Sequence, residues 1–190
     1  MGCPVDGVWG FPDGTARTTC RPVRGQRKVY SGYYKKHVHK FQSVVTPDGL
    51  LRHFYGPIES HRTDSCMMEQ SRLYEAMDGE LAHIFHNKKR LWADGGYGLN
   101  KFTMRPFINP VPGSPEHMFN TKMASLRISV EWGFNWVIQN FKYVEYAKQQ
   151  KTTLLQPTAL YYTFAVLLAN CKAWMRGGNQ ISDYFNMDPP

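Results

Sequence analysis

The chain has 190 residues, enough for one domain or one and a fraction, and its 42% hydrophobic and 20% charged content excludes wholesale disorder, a collagen-like fibre and a simple coiled coil. Lys and Arg number 23 against 15 Asp and Glu, a net charge of +8 with a pI near 9.4, which favours a polyanionic partner, nucleic acid foremost. The longest apolar run, residues 159–169, falls well short of the roughly 20 residues a membrane helix needs, so no span is expected.

Residues 1–6 carry neither a basic nor an apolar leader segment, and Asp6 stands where a myristoylation signal has Ser or Thr, so neither secretion nor lipid anchoring is expected. Residues 8–11 read as a short strand meeting Asp13-Gly14-Thr15. Residues 29–45 alternate loosely and are rich in aromatic and β-branched side chains. They stop at the turn signal Pro47-Asp48-Gly49, after which residues 50–55 return as the second arm of a hairpin. Residues 65–85 have helical composition, residues 90–93 form a strand running into Asp94-Gly95-Gly96, and residues 102–106 suit another.

From Pro115 the pattern becomes helical. Met123, Leu126, Val130, Phe134, Val137 and Phe141 form one apolar stripe, which predicts a helix of about 25 residues. A second helix runs from Pro157 to Gly177-Gly178, and its residues 159–174 are apolar nearly all round, which predicts burial on every side. The tail, residues 179–190, is polar with isolated Ile181, Tyr184 and Phe185. Cys3, Cys20, Cys66 and Cys171 form no C-x-x-C and read as reduced thiols. His37 and His39, two apart on one strand, lack the partners of a zinc set, and His83 and His86 with Glu80 read as a solvated helix face.

Between Arg17 and Lys40 lie Arg17, Arg21, Arg24, Arg27, Lys28, Lys35, Lys36 and Lys40 with no acidic residue. This run is either a phosphate-contacting surface or a solvated edge; Tyr30, Tyr33 and Tyr34 interleave with it, placed either to stack on bases or simply to pack. Three acids fall at element boundaries or helix flanks. Asp13 and Asp94 each follow a strand and precede glycine, and Glu131 lies about 100° around the long helix from the centre of its stripe. Singly, Asp-Gly is a common turn pair and Glu131 suits an i, i+4 ion pair with Arg127. Together, three convergent carboxylates would repel unless they held divalent cations, the chemistry that phosphodiester cleavage requires.

The order of motifs resembles the catalytic domain of DDE-type transposases, in the branch related to the PIF/Harbinger elements. The resemblance is carried by Gly10-Phe11-Pro12-Asp13-Gly14-Thr15, Arg21-Pro22, Gln26-Arg27, Tyr30-Ser31-Gly32-Tyr33 and the block from His39 to Gly49. Gly56-Pro57, Asp64-Ser65, Ala93-Asp94-Gly95-Gly96-Tyr97 and Phe119-Asn120 follow, and Ser125-Leu126-Arg127-Ile128-Ser129-Val130-Glu131-Trp132-Gly133-Phe134 closes the set.

The resemblance implies an α/β, ribonuclease H-like fold: a five-stranded mixed sheet flanked by helices, with a core over residues 9–145 and a helical extension over 146–190, all in one domain. It implies a DNA endonuclease using two Mg²⁺ or Mn²⁺ ions on Asp13, Asp94 and Glu131, hydrolysing phosphodiester bonds with strand transfer as a further step, and working in the nucleus. Asp64 and Arg127 match accessory positions, Asp64 serving the site or capping the following helix, and Arg127 orienting Glu131 or contacting phosphate. The basic run, with Lys88, Lys89 and Arg90, would hold the DNA backbone.

Two departures qualify this. Pro12 replaces a usual aliphatic residue, so the first strand is expected to end early or bulge. Only twelve residues precede Asp13, where the family carries a DNA-reading region. This predicts a fragment or truncated copy, served by a separate DNA-binding protein or retained as an inactive DNA- or protein-binding relic.

Overall fold

The computed structural model describes residues 7–85, 89–145, 147, 150–151 and 157–189. The chain order is β1 (Val8–Thr18), α1 (Gln26–Val29), β2 (Tyr30–Ser31), β3 (Lys36–Val45), β4 (Leu51–Ile58), α2 (Asp64–Gln70), α3 (Leu73–Asp78) and α4 (Ala82–Phe85). It continues with β5 (Arg90–Trp92), β6 (Thr103–Met104), α5 (Pro115–Asn140), a 3₁₀ turn (Lys142–Glu145), α6 (Thr158–Met175) and α7 (Gln180–Phe185). One mixed sheet runs β2-β3-β1-β5-β6, with β4 also paired to β3. The antiparallel ladder joins β1 to β3 and β3 to β4, whereas β1, β5 and β6 are parallel. The sheet has six strands rather than five because Tyr30 and Ser31 form a two-residue ladder with His37 and Lys36.

β1 neither stops nor bulges at Pro12. Its irregularity lies between Val8 and Gly10 on the β5 side, and past Gly10 its pairing is with β3, in a register that takes Pro12 opposite Val44. Proline is tolerated where one side of a strand has lost its neighbour, which is where Pro12 stands.

The period-2 alternation of the strands sends neighbouring side chains to opposite faces. Val45, Phe11 and Trp92 join the α5–α6–α7 core, and Val44, Leu91 and Ala93 join the core beneath α2, α3 and α4. The stripe on α5 is buried from Met123 to Val137 as its spacing predicts. Gly133 lets that helix approach closely, since a Cβ there would lie 2.9 Å from Val45 Cγ2.

Three expectations are corrected. Residues 65–85 form three short helices rather than one, with Arg72 in the left-handed region at φ 56° between α2 and α3. α6 is buried on one face only: Tyr162, Ala165, Val166 and Ala169 are enclosed, while Leu160, Phe164, Leu167, Leu168 and Trp174 are exposed. The polar tail is structural, because Asn179 and Ser182 form a capping box and Asn179 Nδ2 donates to the Gly49 carbonyl at 2.7 Å. Ile181 and Phe185 are thereby buried, Phe185 stacking on Phe11 at 5.7 Å. Cys66 and Cys171 are reduced thiols, as expected, and so is Cys20, whose Sγ donates to the Ala147 carbonyl at 3.0 Å; Cys3, His86 and Lys88 lie outside the described residues.

Phe185→Ala is expected to lower stability by about 3–5 kcal/mol, and Asn179→Ala by about 1–2 kcal/mol through loss of the cap, both read from urea unfolding. Unchanged midpoints in both variants would mean the tail carries none of the stability assigned to it.

Candidate active site

The local backbone sets the positions of the acids. β1 is flanked by β3 and β5, and Asp13 lies in its middle. Asp94 follows the end of β5, the parallel neighbour of β1, so the two carboxylates project from adjacent strands. Each is fixed by a short backbone contact: the Gly14 N–H donates to Asp13 Oδ1 and the Gly96 N–H to Asp94 Oδ1, both at 2.8 Å.

Arg127, on the buried side of α5, reaches across to both. Its Nη2 stands 3.9 Å from Asp13 Oδ2 and 3.9 Å from Asp94 Oδ2, so one guanidinium serves two carboxylates beyond direct hydrogen-bonding distance. Its Nε is buried without a hydrogen-bond partner. Arg127 thus pairs with the sheet's aspartates, in place of the intrahelical pair with Glu131 that spacing allows.

Glu131 lies one turn further along α5, about 6 Å along the axis from Arg127, and is exposed. Among the described residues no three His, Cys, Asp or Glu side chains lie close enough to hold one metal ion. The structure therefore brings Asp13 and Asp94 together on Arg127, while Glu131 is exposed and does not join them in a three-acid group. Like charges converge only when a cation offsets them, and here the one guanidinium faces two carboxylates.

A third acid sits beside the pair. Thr63, not Asp64, caps α2, its side chain accepting from the Cys66 N–H, so Asp64 is the first helical residue with its carboxylate directed elsewhere. Asp64 Oδ1 accepts from Lys40 Nζ at 3.1 Å, and a Cβ on Gly14 would stand 2.6 Å from the same oxygen. Only glycine after Asp13 leaves room for it.

The floor of the site is a polar pair that the sequence motifs contained without a role. Gln42 and Tyr97 are both buried, and Gln42 Nε2 donates to the Tyr97 hydroxyl at 2.8 Å and to the Asp64 carbonyl at 3.2 Å. Burial, and then the negative charges of Asp64, Asp13 and Asp94, push the Tyr97 hydroxyl well above its ordinary pKa, so it stays neutral beneath the acids. Asp13 itself is raised to about 6, chiefly by burial; Arg127 and the Gly14 N–H oppose the shift, and Asp94 and Asp64 add to it.

The basic residues divide. Arg24, Arg27, Lys28, Lys35 and Lys36 are exposed, and Arg21, also exposed, donates from Nε to Gln26 Oε1. Arg17 differs from the expectation of a DNA contact: its guanidinium lies over the Tyr162 ring at 4.9 Å and its Nη2 donates to Thr15 Oγ1, so it is packed into the fold. Lys40 is committed to Asp64 and to the Arg62 carbonyl. Lys89 and Arg90 stand at the start of β5, the opposite end from Asp94, with Arg90 Nη1 on the Lys89 carbonyl.

A mixed sheet with one aspartate on its central strand, a second after the adjacent parallel strand and a long helix reaching over both has the ribonuclease H-like arrangement of a nuclease domain. The family model described as DDE superfamily endonuclease matches residues 12–170, and the chain belongs to that family, whose members are transposase-like nucleases. No curated protein and no solved structure matches the chain.

Because Asp13 binds its proton more tightly folded than unfolded, its contribution to stability is fully present below the ordinary carboxyl pKa of 3.8 and is lost as pH rises through about 6. At about 1.4 kcal/mol per unit the upper bound is roughly 3 kcal/mol. Without divalent metal, Asp13→Asn is expected to be more stable than the parent at pH 7 and equal to it near pH 4, measured by thermal unfolding across pH. A parent protein that gains stability between pH 4 and pH 6 relative to the variant would contradict the shift.

Proposed function

We propose that the chain is a divalent-metal-dependent DNA endonuclease of the PIF/Harbinger-like branch, hydrolysing phosphodiester bonds at Asp13, Asp94 and Glu131. The observation that carries this reading is the convergence of Asp13 and Asp94 on a single guanidinium, with Asp13 raised to about 6 by desolvation. Such a carboxylate pair lacks positive charge, and an all-oxygen donor set suits Mg²⁺ or Mn²⁺. Asp13 and Asp94 would hold the metal from the sheet, and Glu131 would complete the set from α5. When bound, two such ions would lower the pKa of the attacking water and stabilise the leaving 3′ oxygen.

The chain's own residues do the remaining work. The Gly14 and Gly96 N–H groups fix the carboxylate rotamers, Arg127 offsets their charge, and the buried Tyr97–Gln42 pair holds the floor rigid. Arg24, Arg27, Lys28, Lys35 and Lys36 would grip phosphates without reading sequence. In hydrolysis the water oxygen forms a bond to phosphorus as the bond to the 3′ oxygen breaks, and the freed 3′-hydroxyl is then available for strand transfer. DNA as substrate makes the nucleus the expected place of action.

A second reading, a catalytically inactive DNA- or protein-binding copy, is favoured by the exposed Glu131 and the absence of a three-acid cluster among the described residues. Nicking of supercoiled plasmid with Mn²⁺, stopped by chelator and abolished in Asp94→Asn without loss of fold, is expected for the nuclease. An Asp94→Asn variant that nicks at the parental rate would assign the cleavage elsewhere.

Backbone contact by the five exposed cations is expected to give log affinity a slope of about −4.5 against log salt, each Gln replacement lowering its magnitude by roughly 0.9. A slope unchanged in a triple Gln variant would remove these residues from the interface.

A further inference from the structure

Next to the acids the surface opens into a cavity of about 490 Å³, within the roughly 300–1,000 Å³ that suits a single small ligand. Tyr30 and Tyr33 line it from one segment, Arg62 and Asp64 from another, and Gly96 from the turn that fixes Asp94. The cavity is therefore next to the proposed site of hydrolysis, reaching it through Asp64 and through Gly96, whose N–H holds Asp94.

Of its two tyrosines, Tyr30 packs against the His37 ring and Tyr33 is the more open. Tyr33 is 87% exposed and meets Tyr34 in a T-shaped contact with centroids 4.8 Å apart, so the pair is not stacked and most of the Tyr33 ring is open to solvent. Gly32 has nothing within 4 Å of where a Cβ would lie. Tyr34 is close enough to Asp64 and Asp13 for their charges to raise its pKa, after burial and Tyr33, which puts this tyrosine turn beside the acids. Lys40 uses two of its three ammonium donors, on Asp64 and the Arg62 carbonyl, leaving the third for an incoming acceptor.

In paired DNA the base faces are covered by their neighbours, and a protein reaches edges and phosphates only. An exposed ring face beside a cation, next to the cleavage site, is useful to a base that has left the stack. We infer that this cavity takes an unpaired nucleotide flanking the scissile phosphate, its base stacked on Tyr33 and its phosphate met by Lys40 and Arg62, so that the enzyme selects DNA that is melted or distorted next to the cut. This rests on the nuclease reading of Asp13 and Asp94 and adds to it the state of the DNA that the site accepts.

The test measures binding rather than cleavage. Fluorescence anisotropy in chelator compares two duplexes of equal length, one fully paired and one with a central three-nucleotide mismatch bubble, so that the phosphate contribution is the same in both. Stacking of one base predicts roughly 5- to 150-fold tighter binding of the bubble. Tyr33→Ala is expected to erase the preference and Tyr33→Phe to keep it, with urea unfolding unchanged in both because the ring is exposed. Equal affinity for the two duplexes, a preference that survives Tyr33→Ala, or its loss in Tyr33→Phe overturns the inference. Asp94→Asn separates the two readings: lost nicking with the bubble preference intact leaves the cavity assignment standing. A parent chain that nicks plasmid while binding both duplexes alike retains the nuclease and removes the cavity's role.

Discussion

Two aspartates held against one guanidinium form the constraint around which this molecule is arranged. Asp13, partly buried on β1, and Asp94, more exposed just after β5, converge from neighbouring strands, and Arg127 lies at the limit of ion-pair distance from both. In a partly buried setting a carboxylate with too little positive charge beside it is costly, and burial accordingly raises Asp13 to about 6 despite Arg127 and the Gly14 N–H. The arrangement is electrostatically unsaturated, with one positive group for two negative ones and a third acid, Asp64, held by Lys40 a short distance away. A stable fold keeps such a site only if the surrounding structure holds it in place, as the two cores of this domain do.

One core clamps β1 and β3 beneath α5, α6 and α7, and the other fixes the opposite face under α2, α3 and α4. Leu126, just before Arg127, and Val130, three residues after it, are both buried on α5 and anchor that part of the helix in the core. On the other face, Tyr97 belongs to the hydrophobic cluster by its ring and to the acidic site by its hydroxyl. Packing and chemistry thus share residues. The tail takes part as well, since Phe185 stacks on Phe11, two residues before Asp13.

Positive charge is divided between architecture and surface. Arg17 packs on Tyr162 and Lys40 neutralises Asp64, while Arg24, Arg27, Lys28, Lys35 and Lys36 remain at the surface. The net charge of +8 therefore overstates what is free to meet a polyanion. Lys28 illustrates the partial case, lying 3.7 Å from Glu59, which also meets His61 and Arg62. Exposed pairs of this kind are weak, so a phosphate competes with them easily.

The strand leading to Asp13, the strand before Asp94, the helix from Pro115 and its buried stripe were legible in the sequence, because period-2 and period-3.6 patterns report which face is dry; Asp13-Gly14, read as the end of a strand, instead lies inside β1, which pairs with β3 as far as Thr18. The motif order also pointed to the family to which the chain belongs. What the chain could not disclose by local pattern depends on contacts between residues far apart in sequence. The tail looked polar because Ile181, Tyr184 and Phe185 are isolated among polar residues, yet Gly49 supplies a partner for Asn179 and Phe11 one for Phe185 from over 100 residues away. α6 read as buried all round, but the domain covers only one of its faces. Composition and periodicity thus determined the elements and the acidic candidates. Tertiary packing alone decided that Arg127 faces the sheet, that Asp64 rests on Gly14 and that Glu131 stays exposed, since the energy of a charge depends on which other charges the fold brings within a few ångströms of it.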